Sequence, residues 1–458
     1  MPHSCKLLLL AILTSLYATS VQAQKGPPRR TPAQVGIDYP IVACRMPVPQ
    51  HPTQEEFPDA FRMSLKIGPY SALVLIHPSG KEEILFQPKG KGSCVDPFVS
   101  YDGRTIYFAV FEDPTSINVQ RYLTRSPAHI WKLDVATRRA TQLTFGNEMT
   151  WRDSANKIDP RYGPFDISPV ELPDGRILFL STRDGQFSVT ARFPSPAFWR
   201  MNADGSNLEK MEYFSMSGCQ HPLVLQDGRV IWTHRHNAGR RNRGGHNYAL
   251  MSANQDLSDI KSFAGLHHRA SAWHFATQLS DGDVVTTVYY HSNNFGHGAL
   301  VRFPANPNDP SGNDFHPAHK GTNWAQNNIY GHTDHYRRIG ERLATPWFLS
   351  KYYASLTFDA PARIMADGTR TGKSTMPAGT PDGHMVFIWS SGGVHDSRSH
   401  NADMFPNMKI CFARNGMIPK RNDLIVLKES EHHYYMYPKP LVSYMRIHGM
   451  ARPKLTAE

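Results

Sequence analysis

Asp96, Ser168, His221 and His274 are the residues of this sequence whose types and spacing suggest chemistry. Asp96, Ser168 and His221 each stand six positions before the Asp of an Asp-Gly pair: Asp102-Gly103, Asp174-Gly175 and Asp227-Gly228. Phe275 and Met376 hold the same place before Asp281-Gly282 and Asp382-Gly383, and His274 immediately precedes Phe275. Imidazole combined with carboxylate suits a divalent ion such as Zn, Mn or Fe, so His221, His274 and Asp96 are the candidate metal ligands. The same groups can act as general acids and bases. The plainer alternative is that they hydrogen-bond strand ends and water. His332 and His335 flank Asp334, which can orient an imidazole, and they join the candidate ligand-binding or channel-lining set. The remaining histidine pairs, such as His234/His236 and His432/His433, read more simply as loop or surface groups. Arg240, Arg241 and Arg243 lie in a Gly-rich loop that can hold an anion but follows no phosphate-loop pattern. Ser390 and Ser391 lack the Gly-x-Ser-x-Gly frame, and His395 and Asp396 nearby do not make a triad.

The elements that must position these residues are repeated hairpins. Asp-Gly introduces an apolar, β-rich run at Thr105, Ile177, Val230, Val284 and Met385. Asp-Gly between such runs is a strong hairpin signal, because Gly accepts the positive φ of a tight turn. A second hairpin with a polar turn follows in most copies, starting near Ala72, His129, Phe198, Tyr248, Ala299 and Met408. Two hairpins per unit of about fifty residues make a four-stranded antiparallel blade. The expected fold is therefore all-β, a β-propeller of six blades, with seven as the alternative count. No long window has helical periodicity. Residues at equivalent places in different blades then converge on the central channel. Residues 316–375 show no clean hairpin and are expected to be an insertion or a degenerate blade.

The chain opens with Lys6, an apolar run and the small-x-small site Val21-Gln22-Ala23, which reads as a signal peptide (1–23) cleaved before Gln24. A periplasmic or secreted protein is expected. Residues 24–38 are Pro-rich and basic and read as a flexible lead-in, 39–447 as the propeller, and 448–458 as a tail. No other run reaches transmembrane length, so no membrane span is expected. The net charge of +11 favours acidic ligands or partners, but the basic residues do not cluster as nucleic-acid binding requires. Cys44, Cys94, Cys219 and Cys411 remain after cleavage, too few for a disulfide scaffold. If Tyr39–Arg45 completes the last blade, Cys44 approaches Cys411, and a disulfide between them is expected.

The polar-turn hairpins resemble the propeller repeats of TolB-like proteins. A longer match is carried by Asp96-Pro97-Phe98-Val99-Ser100, His221-Pro222-Leu223-Val224-Leu225, Ser271-Ala272-Trp273-His274-Phe275, Tyr289-Tyr290 through Gly298, and Pro377-Ala378-Gly379-Thr380-Pro381. Together these resemble proteins related to the hydrazine synthase alpha subunit, in its propeller-forming middle domain. The resemblance implies an exported propeller that binds or scaffolds, serving as a subunit of a redox or surface complex with a protein partner. The sequence contains no Cys-x-x-Cys-His, so covalent c-type haem, and hydrazine synthesis by this chain, are not expected. The rival class is a metal-dependent hydrolase or lyase acting on an acidic polymer at the channel mouth. It resembles the exported propeller lyases that use several histidines. Whether the chain is an enzyme is left open by the sequence.

Overall fold

The structure is a computed structural model. It describes residues 26–49, 59–60, 65–118, 123–124, 126–146, 163–186, 195–211, 218–236, 247–264, 272–289, 296–303, 305, 342–343, 372–391, 407–418 and 423–456. Residues 1–23, read from sequence as a signal peptide, His332, His335, the loop of Arg240, Arg241 and Arg243, and most of 316–375 lie outside the described residues.

Four four-stranded antiparallel sheets and one eight-stranded sheet, made of two four-stranded parts, IV and V, are present among the described residues, with two short two-stranded sheets. Sheet I runs His433–Pro440, Ile41–Pro47, Ala72–Ile76, Glu82–Phe86 from the inside outwards. Sheet II runs Ser93–Val99, Thr105–Phe111, Ala128–Asp134, Ala140–Gln142, and sheet III runs Asp166–Glu171, Ile177–Ser181, Ala197–Met201, Glu209–Lys210. Sheet IV is Cys219–Val224, Val230–His236, Asn247–Ala253 and Lys261–Ala264, with Lys261–Ala264 on the outer edge. Sheet V is Ala272–Gln278, Val284–Tyr289, Ala299–Phe303 and Arg342–Leu343, and a single parallel bridge, Tyr248 to Ala272, joins it to sheet IV. Sheet VI is Lys373–Gly379, Met385–Ser390, Lys409–Ala413 and Ile425–Lys428. Each inner strand packs on the next, and the last returns to the first, so the sheets stand round a central axis as a β-propeller.

The Asp-Gly turns explain the hairpins locally. Gly103, Gly175, Gly228 and Gly282 have φ of 74°, 87°, 92° and 93°. Each donates its N–H to the carbonyl three residues back. The preceding Asp accepts the N–H two residues on, for example Arg104 N–H to Asp102 Oδ1 at 2.9 Å. Glycine supplies the conformation and aspartate closes the loop, which is why the pair recurs.

The ring closes in the opposite sense to the one expected from the sequence. Ile41–Pro47 does not complete the last sheet; His433–Pro440 comes round instead and pairs with Ile41–Pro47 as the inner strand of sheet I. Ile41, Val42, Ala43 and Cys44 are all buried, so both faces of this strand are covered and both of its edges are paired. The closure also separates the two cysteines. Cys44 lies opposite Met436 and Leu73 in sheet I, and Cys411 lies opposite Phe387 and Val426 in sheet VI. Both are buried thiols outside any disulfide, as are Cys94 and Cys219.

The lead-in is tied down rather than loose. Arg30 N–H donates to Val426 O at 3.0 Å and Val426 N–H to Pro28 O at 2.9 Å, while Val35 and Ile37 are buried. The tail is likewise docked. Residues 441–456 cross the face that carries the Asp-Gly turns, through the short helix α1 (Tyr444–His448) and a further limb ending at Thr456.

Candidate functional site

Six residues with positive φ mark the inner strands: Asp96 (50°), Ser168 (53°), His221 (50°), Phe275 (53°), Met376 (51°) and Tyr437 (53°). None is glycine, and a left-handed conformation costs such residues roughly 1 kcal/mol or more each. At each, the inner strand slips out of register with its neighbour, leaving a two-residue bulge. A bulge bends the strand and re-aims a side chain. Five of the six precede proline, which removes a backbone donor where the ladder is already interrupted.

All six residues line one central cavity of about 170 Å³. Helix α1 closes it on the Asp-Gly face, contributing Tyr444, Ile447 and His448. Tyr444 N–H donates to Tyr101 O at 2.8 Å. His448 Nδ1 accepts an N–H from Gln226 Nε2 at 2.7 Å. Burial pushes the His448 imidazole down to a pKa of about 4. Adjacent sheets are latched beneath the cavity: Tyr101 N–H to Glu171 Oε2 at 2.7 Å, Gln226 N–H to Gln278 Oε1 at 2.7 Å, and Gly379 N–H to Thr277 Oγ1 at 3.0 Å.

The lining is unequal round the ring. At the bulges sheets II to IV contribute Asp96, Ser168 and His221, whereas sheets V and VI contribute Phe275 and Met376; Thr277 and Gln278 of sheet V also line the cavity, engaged by Gly379 N–H and Gln226 N–H. Ser168 Oγ donates to Asp96 Oδ2 at 2.7 Å. Burial pushes the Asp96 carboxyl up to about 6, partly offset by the Ser168 hydrogen bond and by the charge of Lys439. Lys439, on the inner strand of sheet I, also lines the cavity, and burial pulls its ammonium pKa down against the opposing effect of Asp96. Tyr437 is 4% exposed, and its hydroxyl has no hydrogen-bond partner among the described residues.

Of the residues singled out from sequence, Asp96, Ser168 and His221 are brought together in the cavity. His274 is not among its lining residues. Phe275 takes the bulge position, and the fully buried His274 ring packs against His221 at 5.3 Å and Tyr248 at 5.0 Å between ring centroids. The His221 ring lies 4.0 Å from that of Phe275. Among the described residues no group of three or more His, Cys, Asp or Glu side chains able to hold a metal occurs. His234 is buried and lies opposite Cys219. Ser390 is occupied with Asn407.

Sequence reasoning missed Tyr437, Lys439, Tyr444 and His448. No Asp-Gly pair follows Tyr437, so the turn-based alignment had no anchor there. The usable signal was Tyr437-Pro438, which repeats the residue-proline step of Asp96-Pro97.

The fold and the central cavity define a β-propeller with a plugged channel. The structure is similar to Kuenenia stuttgartiensis hydrazine synthase, with a TM-score of 0.59 and 12% identity over 92% of this chain and 48% of that one. The chain thus spans about half the length of that protein. It also matches TolB from Acinetobacter baumannii (TM-score 0.46, 13% identity, 88% of this chain and 67% of that one). A third match is the oligogalacturonate lyase of Vibrio parahaemolyticus (TM-score 0.39, 10% identity, 69% of this chain and 68% of that one). No protein-family model and no curated protein sequence matches the chain. Among the described residues no helix is long and apolar enough to cross a membrane.

Proposed function

We propose that this chain is an exported binding propeller whose ligand sits in the central cavity, and that it works as a subunit of a larger envelope or extracellular assembly. The observation that carries the binding reading is the cavity itself. It is closed at one end by residues 441–456, and it gathers a half-buried carboxylate, a half-buried ammonium and a buried hydroxyl with no partner among the described residues. Protein interiors are close-packed, and native structures seldom keep buried polar groups unpaired. A largely preformed, mostly apolar pocket with a few convergent polar groups is the usual form of a small-molecule site. Export rests on the N-terminal segment, and the assembly reading on the resemblance drawn from the sequence.

The test is a thermal-shift screen of compounds with about six to ten non-hydrogen atoms. It compares the native protein with Ala276→Phe, which places a ring in the cavity. A compound that raises Tm in the native protein but not in Ala276→Phe supports the reading. No shift from any compound, or equal shifts in both proteins, sinks it. N-terminal sequencing of the secreted or periplasmic product checks export, with Gln24 expected as the first residue.

A further inference from the structure

Asp96 and Lys439 carry opposite charges, lie on the inner strands of adjacent sheets and line the same cavity. Each feels the other's charge. They nonetheless form no ion pair within 4 Å: Asp96 spends Oδ2 on Ser168, and Lys439 makes no side-chain hydrogen bond to a described residue. Both groups are half-buried, and opposite charges withdrawn even partly from water commonly pair directly. Here the space between them is the cavity. Phe275, Met376 and Ala378 add apolar lining, and Thr277 and Gln278 beside them are already engaged with Gly379 and Gln226. Tyr437 lines the same cavity, and burial, with the charge of Asp96 added, pushes its hydroxyl pKa up.

Taking the binding reading above as its basis, we infer that the ligand is a small zwitterion of the amino-acid type. Its ammonium pairs with Asp96, its carboxylate pairs with Lys439, and its short aliphatic part lies on Phe275 and Met376. Asp96 and Lys439 carry opposite charges, so a ligand of zero net charge that carries both signs complements this pair. A ligand with a single charge leaves one of the two protein groups unpaired. The size agrees: a cavity near 150 Å³ holds a six-carbon ring, so about 170 Å³ holds roughly six to nine non-hydrogen atoms. Alanine, valine and leucine fall in that range.

Titration calorimetry and thermal shift on the full mature protein test this, with alanine, valine and leucine as probes. Alanine methyl ester and isobutylamine offer the ammonium alone, and isobutyrate offers the carboxylate alone. The expected result is binding of at least one amino acid, with single-charge analogues at least tenfold weaker. Asp96→Asn and Lys439→Met should each weaken amino-acid binding at least tenfold. The analogue comparison uses native protein, so it decides the matter even where a variant fails to fold. Equal binding of a single-charge analogue, or full amino-acid binding by both variants, overturns the inference. If other compounds shift the native protein and not Ala276→Phe while no amino acid does, the zwitterion inference falls and the binding reading stands. If nothing shifts the native protein, both fall.

Discussion

Gly228→Ala should release the far limb of the C-terminal strap, and the equivalent change at Gly175 should not. Both glycines end the same kind of Asp-Gly turn, with φ of 92° and 87°. Alanine at either position meets the left-handed penalty, roughly 1–2 kcal/mol. The surroundings differ. A Cβ on Gly175 meets nothing within 4 Å, whereas one on Gly228 overlaps the Lys454 carbonyl oxygen and lies 2.8 Å from Gln255 Nε2. That limb is held by Lys454 N–H to Gln226 O at 3.0 Å, Gln255 Nε2–H to Lys454 O at 2.7 Å, and Gln255 N–H to Thr456 Oγ1 at 3.2 Å. Three hydrogen bonds at about 1 kcal/mol each place roughly 3 kcal/mol at stake. Displacing the limb costs less than deforming the turn and the sheet beneath it. Hydrogen exchange of the Lys454 amide should therefore speed up about a hundredfold in Gly228→Ala and hold in Gly175→Ala. Urea melts should show Gly175→Ala losing about 1–2 kcal/mol of global stability and Gly228→Ala losing that plus up to about 3 kcal/mol from the released limb. Equal exchange of Lys454 in the two variants would refute the argument that this turn anchors the strap.

Three other outcomes follow from the same geometry. Burial holds Asp96 at about 6 when folded against about 3.9 in an unfolded chain, so stability is lost as the pH rises from 4 through 6. Asp96→Asn should be more stable than native by about 1–3 kcal/mol at pH 7.5 and match it near pH 4 in guanidinium melts; a less stable variant at both pH values would contradict this. His448 takes up its proton near 4 when docked and near 6.5 when released, so its contribution is intact above pH 6.5 and fades towards 4. Exchange of 441–456, corrected for intrinsic rates, should rise between pH 7 and 5 by up to about 2 kcal/mol of lost protection, and His448→Gln should flatten that rise. Cys44, Cys94, Cys219 and Cys411 should react with a thiol reagent only on unfolding, and a reductant should leave Tm unchanged; a reductant-sensitive Tm would reinstate a disulfide.

The hairpins were legible because each depends on a local demand. A tight turn needs positive φ, glycine meets it, and the Asp before it caps the loop, so the requirement is written within a few residues. The ring closure was not legible. Strand Ile41–Pro47 is apolar on both faces, which says that it is covered but not by which strand. Its partner, His433–Pro440, lies at the other end of the chain, and no local signal connects the two. His274 illustrates a finer limit. Beside Phe275 it looks like the chemical residue of its unit. The side chain at the bulge faces the cavity, however, and its neighbour in an extended strand points elsewhere. One position of register separates a cavity residue from a buried one.

The two repeats in this chain carry different information. The Asp-Gly turns repeat in identity, because every copy solves the same backbone problem. The bulges repeat in position only: Asp96, Ser168, His221, Phe275, Met376 and Tyr437 share a conformation and differ in chemistry. Strain of roughly 1 kcal/mol at each of six sites is a large sum beside the stability of an ordinary domain. If the bulges served only to bend strands, glycine would relieve that strain at each of them. The structure instead keeps six different side chains, with polar groups on one side of the ring and apolar groups on the other. Backbone strain held at equivalent positions with unlike side chains is what a scaffold needs when it aims chemistry at one point. That asymmetry, more than the propeller itself, is what the proposed binding role of the central cavity rests on.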